Sequence, residues 1–489
     1  MTARPDIPRV DHRPLAARID RQWEQSILPE LLEYIRLPAK SPAFDAEWAE
    51  HGHIEAAIGN AERWVKAQGV AGLTANIVRI GERTPVLFFD IPATGGLGDE
   101  RTVLFYGHLD KQPEMTGWRA GLGPWEPVIE DGKLYGRGGA DDGYAVYAAL
   151  ASVMALDAEG VPRPRCVGLI ETCEESGSYD LPAYLDLLAP RMGDVQLVVA
   201  LDSGAGNYEQ LWVTTSLRGL VNGTLTVKIL EEGVHSGDAG GVVPESFRLA
   251  RRVLDRIDDS RTGVVKPPAF NTDIPADRIE QARQAAAILG DAMWQRFPWA
   301  SCCDDGVTAS LFAEPVTKDP VEIVLNRTWR AALAVTGADG LPPTAAAGNV
   351  QRPHTSLKLS LRIPPTVDGP TAAAHLKKTL EADPPNNARV TFHGESAATG
   401  WNAPAVAPWL AAALDAASDA CFGKPAAYMG EGGTIPFMGM LGEKFPKAQM
   451  LVTGVLGPKS NAHGPNEFLH LPFARKVTLA TALVIAATR

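Results

Sequence analysis

Residues 102–110, with the sequence TVLFYGHLD, combine a short continuous apolar run with an imidazole and a carboxylate at its end. A run of this kind is typical of a strand that is covered on both faces of a sheet. Two later runs, CVGLI at 166–170 and LVVAL at 197–201, have the same character, and the Ala-rich stretch 144–156 between the first two predicts a helix. This alternation predicts an α/β fold class with an open sheet.

Polar side chains follow the carboxyl ends of all three predicted strands. His108 ends the first strand, Glu174 and Glu175 follow the second, and Asp202 follows the third. Open sheets of this class bind ligands beyond the carboxyl ends of their strands. The sequence therefore predicts that these four side chains share one cleft.

A second pattern begins near residue 213, where the chain takes on a two-sided, alternating pattern of apolar and polar residues, as in 220–229 and 356–362. Such alternation predicts strands with one buried and one solvent-facing side, and helical stretches at 246–257 and 371–382 accompany them. A chain of 489 residues also exceeds what one hydrophobic core usually supports. We expect a discontinuous catalytic domain interrupted by a smaller α+β domain, with bounds at 1–213 and 398–489 for the first and 214–397 for the second.

Potential metal ligands lie in five short segments. Two hard cations need imidazole and carboxylate ligands, at least one of them shared, and an acid/base group that does not bind the metals. The chain supplies all of these parts, in His108 and Asp110, Asp141, Glu174 and Glu175, Asp202, and His463. The glycine-rich loop 136–139 predicts a sharp turn that lets Asp141 face two cations, although an acidic pair at 141–142 is also compatible with a helix start.

The pair Glu174-Glu175 is the most specific local signal. In an extended stretch adjacent side chains point in opposite directions, so we interpret Glu175 as a metal ligand and Glu174 as the acid/base group. A solvated acidic pair is the alternative, but this pair follows a buried run. A single histidine such as His108 is more often a polar residue with ordinary partners, yet Asp110 two residues later could accept its other ring N–H and fix its orientation.

In the order of these motifs, the chain resembles the dinuclear zinc metallopeptidases related to carnosinase and cytosolic dipeptidases, with acetylornithine deacetylase, aminoacylase and carboxypeptidase G as more distant members. The run GKLYGRG at 132–138 and the run EGGTIP at 431–436 add to the resemblance. It implies a zinc-peptidase-like α/β/α catalytic domain with a smaller lid and dimerisation domain. It also implies one zinc bound by His108 and Asp202, another by Glu175 and His463, and Asp141 between them.

Further roles follow from the same resemblance. Glu174 would be the general base that acts on a water activated by two metals, and Asp110 would support the catalytic group. His235 would reach across a homodimer interface to stabilise the oxyanion, and Asn349, Arg362 and Thr434 would bind the substrate. The implied reaction is amide hydrolysis of a dipeptide or other small peptide.

Other functions remain open at this point. The same metal centre could remove the acyl group of N-acyl or N-carbamoyl amino acids, and a binding protein without catalysis could use the same scaffold. Manganese and cobalt accept these ligands as zinc does. A serine hydrolase is disfavoured because the chain has no Gly-x-Ser-x-Gly motif.

Composition excludes several partner classes. The formal net charge of −12 argues against nucleic acid and against anionic membranes. The apolar run 477–488 is too short to span a bilayer, and the N-terminus has no signal-peptide pattern. Five scattered cysteines, including the adjacent Cys302 and Cys303, do not form a disulfide framework, which favours a cytoplasmic protein.

Overall fold

The computed structural model describes residues 8, 10–301 and 312–488, so the Cys302-Cys303 pair and the first residues of the chain lie outside the described part. The chain forms two compact units. The first comprises Met1–Thr215, Ala403–Tyr428 and Met440–Arg489, and the second comprises Ser216–Asn402 and Met429–Gly439.

A six-stranded sheet forms the centre of the first unit. Its strands lie in the order Thr74–Val78, Val86–Ile91, Arg165–Glu171, Arg101–His108, Asp194–Ala200, Gln449–Val452. The last four strands are parallel to one another, whereas the first two pair in antiparallel fashion. This sheet with its flanking helices confirms the predicted α/β class.

The central strands are buried because they are apolar along their whole length. In Arg101–His108 every residue after Arg101 is buried, and in Arg165–Glu171 every residue after Arg165 is buried. His108 lies opposite Glu171, and Tyr106 lies opposite Ala200. The carboxyl ends of the three predicted strands therefore meet at one edge of the sheet.

Helices cover this sheet, and Ala145–Ala158 lies at the helix predicted for 144–156. Near the N-terminus a π-helical turn at Trp23–Ile27 separates two helices and lies two residues before Pro29, whose nitrogen has no hydrogen to donate to the preceding turn. The helices of this unit are His12–Gln22, Leu28–Arg36, Trp48–His51, His53–Ala67, Ala145–Ala158, Leu181–Met192, Pro408–Phe422 and Leu471–Ala487. A small sheet adds Val128–Glu130, Lys133–Tyr135 and Phe468–His470.

The second unit is built on a four-stranded antiparallel sheet, in the order Ala332–Asp339, His354–Ile363, Gly219–Lys228, Arg389–Ala398. Burial alternates along Gly219–Lys228 and His354–Ile363, as the sequence predicts. The buried face packs against the helices Ser246–Leu254 and Gly369–Glu381 in one apolar core. Further elements are Val234–His235, Ser236–Ala239, Ala276–Leu289, Ala292–Gln295, Pro320–Thr328 and Val350–Gln351.

The chain passes between the units near four short elements: Trp212–Leu217, Trp401–Asn402, Ala427–Glu431 and Pro436–Lys444. The sequence prediction assigns all of 398–489 to the first unit, but Met429–Gly439 belongs to the second. Arginines hold it there: Arg327 Nη2 lies 3.1 Å from Glu431 Oε2, and Arg218 Nε donates to Gly432 O at 3.3 Å. Contacts between residues so distant in the chain leave no periodic signal in the sequence.

Across the described residues, no helix combines the length and the apolar character that crossing a membrane requires.

Candidate metal centre

The carboxyl edge of the central sheet brings the predicted ligands together. His108 is the last residue of its strand, and Asp202 lies two residues beyond the strand Asp194–Ala200. Glu174 and Glu175 follow the strand Arg165–Glu171, whereas Asp141 lies in the irregular π-helical turn Gly139–Gly143 and His463 lies in a loop. The first unit therefore places every predicted metal ligand in one cluster.

The cluster consists of two groups of ligand atoms that share Asp141. In one group His108, Asp141 and Asp202 each place a ligand atom within 4.8 Å of the others, and in the second Asp141, Glu175 and His463 do the same. Asp141 Oδ1 lies 3.5 Å from His108 Nε2, and Asp141 Oδ2 lies 3.0 Å from His463 Nε2. The two oxygens of one carboxylate thus face two different imidazoles.

The remaining distances complete both groups. Asp202 Oδ2 is 3.6 Å from His108 Nε2, and Glu175 Oε2 is 3.4 Å from His463 Nε2. Glu174 Oε2 stands 4.0 Å from His108 Nε2, beside the first group, and Glu174 belongs to neither group. This separation fits a side chain that can accept a proton without binding a cation.

Two glycines position the loop that carries Asp141. Gly136 and Gly138 have φ angles of +144° and +82°, which residues other than glycine rarely adopt. A Cβ atom on Gly136 would lie 2.4 Å from Ile35 Cγ2, and one on Gly138 would lie 2.8 Å from Lys111 Cε. The loop therefore needs glycine for its conformation and for close packing, and it ends in a cis peptide bond between Asp141 and Asp142.

Asp110 holds the two glutamates through their backbone. Its carboxylate accepts the N–H groups of Glu174 at 3.1 Å and of Glu175 at 3.0 Å. The segment Glu174–Ser176 is accordingly a short 3-10 helix rather than the extended stretch that the sequence interpretation assumes. His108 Nδ1 lies 3.1 Å from the backbone oxygen of Asp110 and 3.6 Å from its carboxylate, so the main-chain carbonyl orients the imidazole.

Burial makes the carboxyls within and beside the first group unusual acids. It raises the pKa of Glu174 well above its usual range, an effect that His108 opposes and that the charges of Asp202 and Glu175 reinforce. Burial also raises the pKa of Asp202. Asp141 differs, because the nearby imidazoles of His108 and His463 outweigh its burial and lower its pKa.

Burial and neighbouring charges also shift the pKa values in the second ligand group. Burial and the charge of Asp141 raise the pKa of Glu175 to about 8. For His463 burial acts downward, but the hydrogen bond to Asp141 and the charges of Asp141 and Glu175 raise its pKa to about 9. Closely spaced carboxyls with few cationic partners are the electrostatic situation that a divalent ion relieves.

The donor set fits metal ions. His108 Nε2 is buried and has no hydrogen-bond partner among the described residues. Buried polar atoms are rarely left without a partner, and this one points to carboxylate oxygens at 3.5 and 3.6 Å. Imidazole nitrogen and carboxylate oxygen are also the ligands that zinc, manganese and cobalt accept.

Several side chains that support this cluster carry no specific signal in the sequence. Gln112 Nε2 donates to Glu175 Oε2 at 2.5 Å, and Arg137 forms a buried ion pair with Glu467. Gln112 lies two residues after Asp110 and Glu467 four residues after His463, so proximity to predicted ligands is the only signal. Neither residue type is specific enough at that spacing to reveal a role.

The remaining predicted site residues lie in the second unit, where they form two pairs. The strand Val234–His235 pairs with Val350–Gln351, and Ser236 N donates to Asn349 O at 2.9 Å, which brings the exposed His235 close to Asn349. Arg362 Nη1 donates to Thr434 Oγ1 at 3.0 Å.

Relatives of known activity resemble the chain over much of its length. A cysteinylglycine-S-conjugate dipeptidase from Corynebacterium striatum is 28% identical over 401 residues, which cover 79% of this chain and 82% of that protein. The Cys-Gly metallodipeptidase DUG1 of Saccharomyces cerevisiae is 26% identical over 290 residues, which cover 58% of this chain and 57% of that protein.

The fold is that of a solved peptidase structure. Human carnosine dipeptidase 1 superimposes with a TM-score of 0.73 at 20% sequence identity, and the match covers 99% of each chain. The chain also matches the model of peptidase family M20/M25/M40 over residues 104–487. This match includes all the ligand segments and confirms the resemblance that their order predicts. The chain therefore belongs to peptidase family M20/M25/M40 and is a hydrolytic peptidase.

Proposed function

We propose that the protein is a metal-dependent dipeptidase that hydrolyses the amide bond of dipeptides. The observation that carries the proposal is the pair of ligand groups sharing Asp141, with Glu174 beside them. Both sequence relatives named above are dipeptidases, which favours dipeptides over the N-acyl amino acids of the alternative interpretation. Small peptides are thus the proposed substrate class.

In this proposal His108 and Asp202 would hold one divalent ion, Glu175 and His463 would hold the other, and Asp141 would supply a ligand to each group. Zinc is the proposed metal, and manganese and cobalt fit the same ligands. When bound, two such ions lower the pKa of a water molecule from about 15.7 towards 7 and polarise a carbonyl oxygen.

Glu174 performs the proton transfers. Its carboxylate takes a proton from the attacking water and then donates that proton to the nitrogen of the leaving amine. Burial raises the pKa of this carboxyl, so it holds a proton more firmly than an exposed glutamate does and can carry that proton from the water to the amine. Asp110 fixes the backbone on which Glu174 stands.

Four residues of the second unit complete the proposal. His235 stabilises the oxyanion from the partner subunit of a homodimer, and Asn349 binds the substrate backbone. Arg362 pairs with the terminal carboxylate, and Thr434, already hydrogen-bonded to Arg362, orients it. We also propose a cytoplasmic location, because the described cysteines, Cys166, Cys173 and Cys421, are free thiols.

A substrate panel tests the proposed reaction. The chain reconstituted with zinc, manganese or cobalt is assayed against Cys-Gly, β-Ala-His, and N-acetyl and N-carbamoyl amino acids. We expect kcat/KM for the better dipeptide to exceed that for every acyl amino acid by at least about 10-fold, which corresponds to about 1.4 kcal/mol. Removal of the metals by a chelator should abolish turnover, and faster hydrolysis of an acyl amino acid would contradict the proposal.

Replacing Arg362 tests how the substrate carboxylate is bound. Hydrogen bonds to charged groups contribute about 1.5–3 kcal/mol, so Arg362→Met is expected to raise KM for a dipeptide by about 10–100-fold. The same dipeptide with an amidated C-terminus has no carboxylate, so its KM should be nearly the same for Arg362→Met and for the wild type. Arg330→Met, which removes a half-exposed arginine paired with Glu322, is the matched control. An undiminished preference for the free carboxylate in Arg362→Met would exclude this role.

A further inference from the structure

A buried ion pair links the loop that carries Asp141 to the loop that carries His463. Arg137 is 1% exposed and Glu467 is fully buried, and Arg137 Nη1 lies 2.5 Å from Glu467 Oε2. We propose that this pair, the Arg137–Glu467 clamp, sets the spacing between Asp141 and His463. It thereby sets the affinity with which the second ligand group binds its metal ion. The inference rests on the proposed metal centre.

Glu467 holds the glycine-rich loop from the side of His463. Its Oε1 accepts the backbone N–H of Gly138 at 3.0 Å and that of Ala140 at 3.4 Å, and its backbone oxygen accepts Gly136 N at 3.1 Å. These three contacts fix the loop immediately before Asp141.

Arg137 holds the opposite loop in return. Its Nη2 donates to the backbone oxygen of Gly464 at 2.8 Å, directly after His463, and its Nε donates to Pro113 O at 3.2 Å. The clamp therefore acts reciprocally: each partner binds the backbone of the loop that carries the other. None of these contacts is with the side chains of Asp141 or His463, so the clamp acts through the backbone.

The loop of His463 needs such support. Asn461, His463 and Asn466 have φ angles of +57°, +64° and +61°, in the left-handed region that residues with side chains seldom occupy. Conformations of this kind persist only where surrounding contacts determine them. His463 is also the most exposed of the clustered ligands, with 56% of its side chain accessible, so packing alone does not fix it.

The energetics favour a role beyond stability. Burying two opposite charges costs desolvation energy that their attraction seldom exceeds by much, so a buried ion pair is weak evidence of a stabilising function. Here Arg137 Nη2 and Glu467 Oε1 each bind the backbone of a ligand loop in addition to forming the ion pair. Residues that orient metal ligands typically change metal affinity by about 10–100-fold when they are replaced.

The chain offers a matched control in the same unit. Arg163 is also 1% exposed and pairs with Asp157 through Nε at 2.7 Å and Nη2 at 2.9 Å. Its other contacts are with the backbone oxygens of Pro92 and Pro164, in segments that carry no predicted ligand. Replacing either arginine with lysine retains the charge and removes the planar fork.

The test uses the full chain loaded with Co²⁺. The rate at which each ion is lost to excess chelator is followed by the visible absorption of Co²⁺, and the ions that remain are counted by native mass spectrometry. We expect Arg137→Lys and Glu467→Gln to release one of the two ions about 10–100-fold faster than the wild type, with a smaller change for the other. Arg163→Lys should release both ions at the wild-type rates, even if its melting temperature falls as much as that of Arg137→Lys.

The outcomes separate the clamp from the metal centre. Wild-type rates in both variants, or equal acceleration in Arg163→Lys, would overturn the clamp while the metal centre stands. A wild-type chain that binds fewer than two Co²⁺ ions would overturn both proposals. If Glu467→Gln fails to fold, Arg137→Lys alone decides, because it keeps the buried charge balanced.

Discussion

Glu174→Gln is expected to lower kcat by about 10²–10⁴-fold while both metal ions stay bound. Glutamine has nearly the same shape as glutamate but cannot accept the proton of the attacking water. Glu174 lies beside the ligand groups and contributes to neither, so its replacement should leave the metal sites intact. Steady-state kinetics on the reconstituted enzyme measure the loss, and metal analysis of the same sample measures the ions retained.

The neighbouring Glu175 provides the matched control. Glu175→Gln changes the same functional group one residue later, but its oxygen stands 3.4 Å from His463 Nε2 within the second ligand group. We expect this variant to lose metal along with activity. Equal metal loss in both variants would mean that Glu174 is itself a ligand, and an active Glu174→Gln would exclude it as the general base.

The parts of the site that the sequence predicts are those tied to strand ends. Three buried apolar runs identify the parallel strands, and the carboxyl ends of parallel strands lie at one edge of a sheet. The sequence alone therefore predicts that His108, Glu175 and Asp202 lie close together. Two outer strands of the sheet, Thr74–Val78 and Val86–Ile91, were not predicted. The second of these, VLFFDI between Pro85 and Pro92, is apolar except for Asp90 and indicates a strand.

The parts that the sequence does not predict depend on contacts between distant loops. Glu467 acts on residues more than three hundred positions away, and neither its residue type nor its spacing is specific. The turn at Glu174 forms because Asp110, from another strand end, accepts its backbone N–H. Such side chain to backbone bonds replace the extended geometry that local patterns predict.

Asp141→Asn is expected to weaken the binding of both metal ions. Asp141 alone belongs to both ligand groups, and its two oxygens face His108 and His463. An amide supplies one neutral oxygen in place of two charged ones. The affinity for each ion should therefore fall by more than the factor of about 100 that marks the upper range for residues that only support ligands. Titration of the metal-free chain with Zn²⁺ under chelator competition measures both constants.

Asp142→Asn is the control for that experiment, because the same substitution is made one residue later in the same buried segment. Within the described residues, Asp142 Oδ2 accepts the backbone N–H of His108 at 3.3 Å, and Asp142 belongs to neither ligand group. Burial raises the pKa of this carboxyl well above its usual range, and an amide of nearly the same shape replaces it without changing the packing of the segment. Asp142→Asn should therefore bind both ions within about 10-fold of the wild type. If Asp142→Asn loses the ions as fully as Asp141→Asn, the shared role of Asp141 is excluded and the effect belongs to the folding of the whole segment.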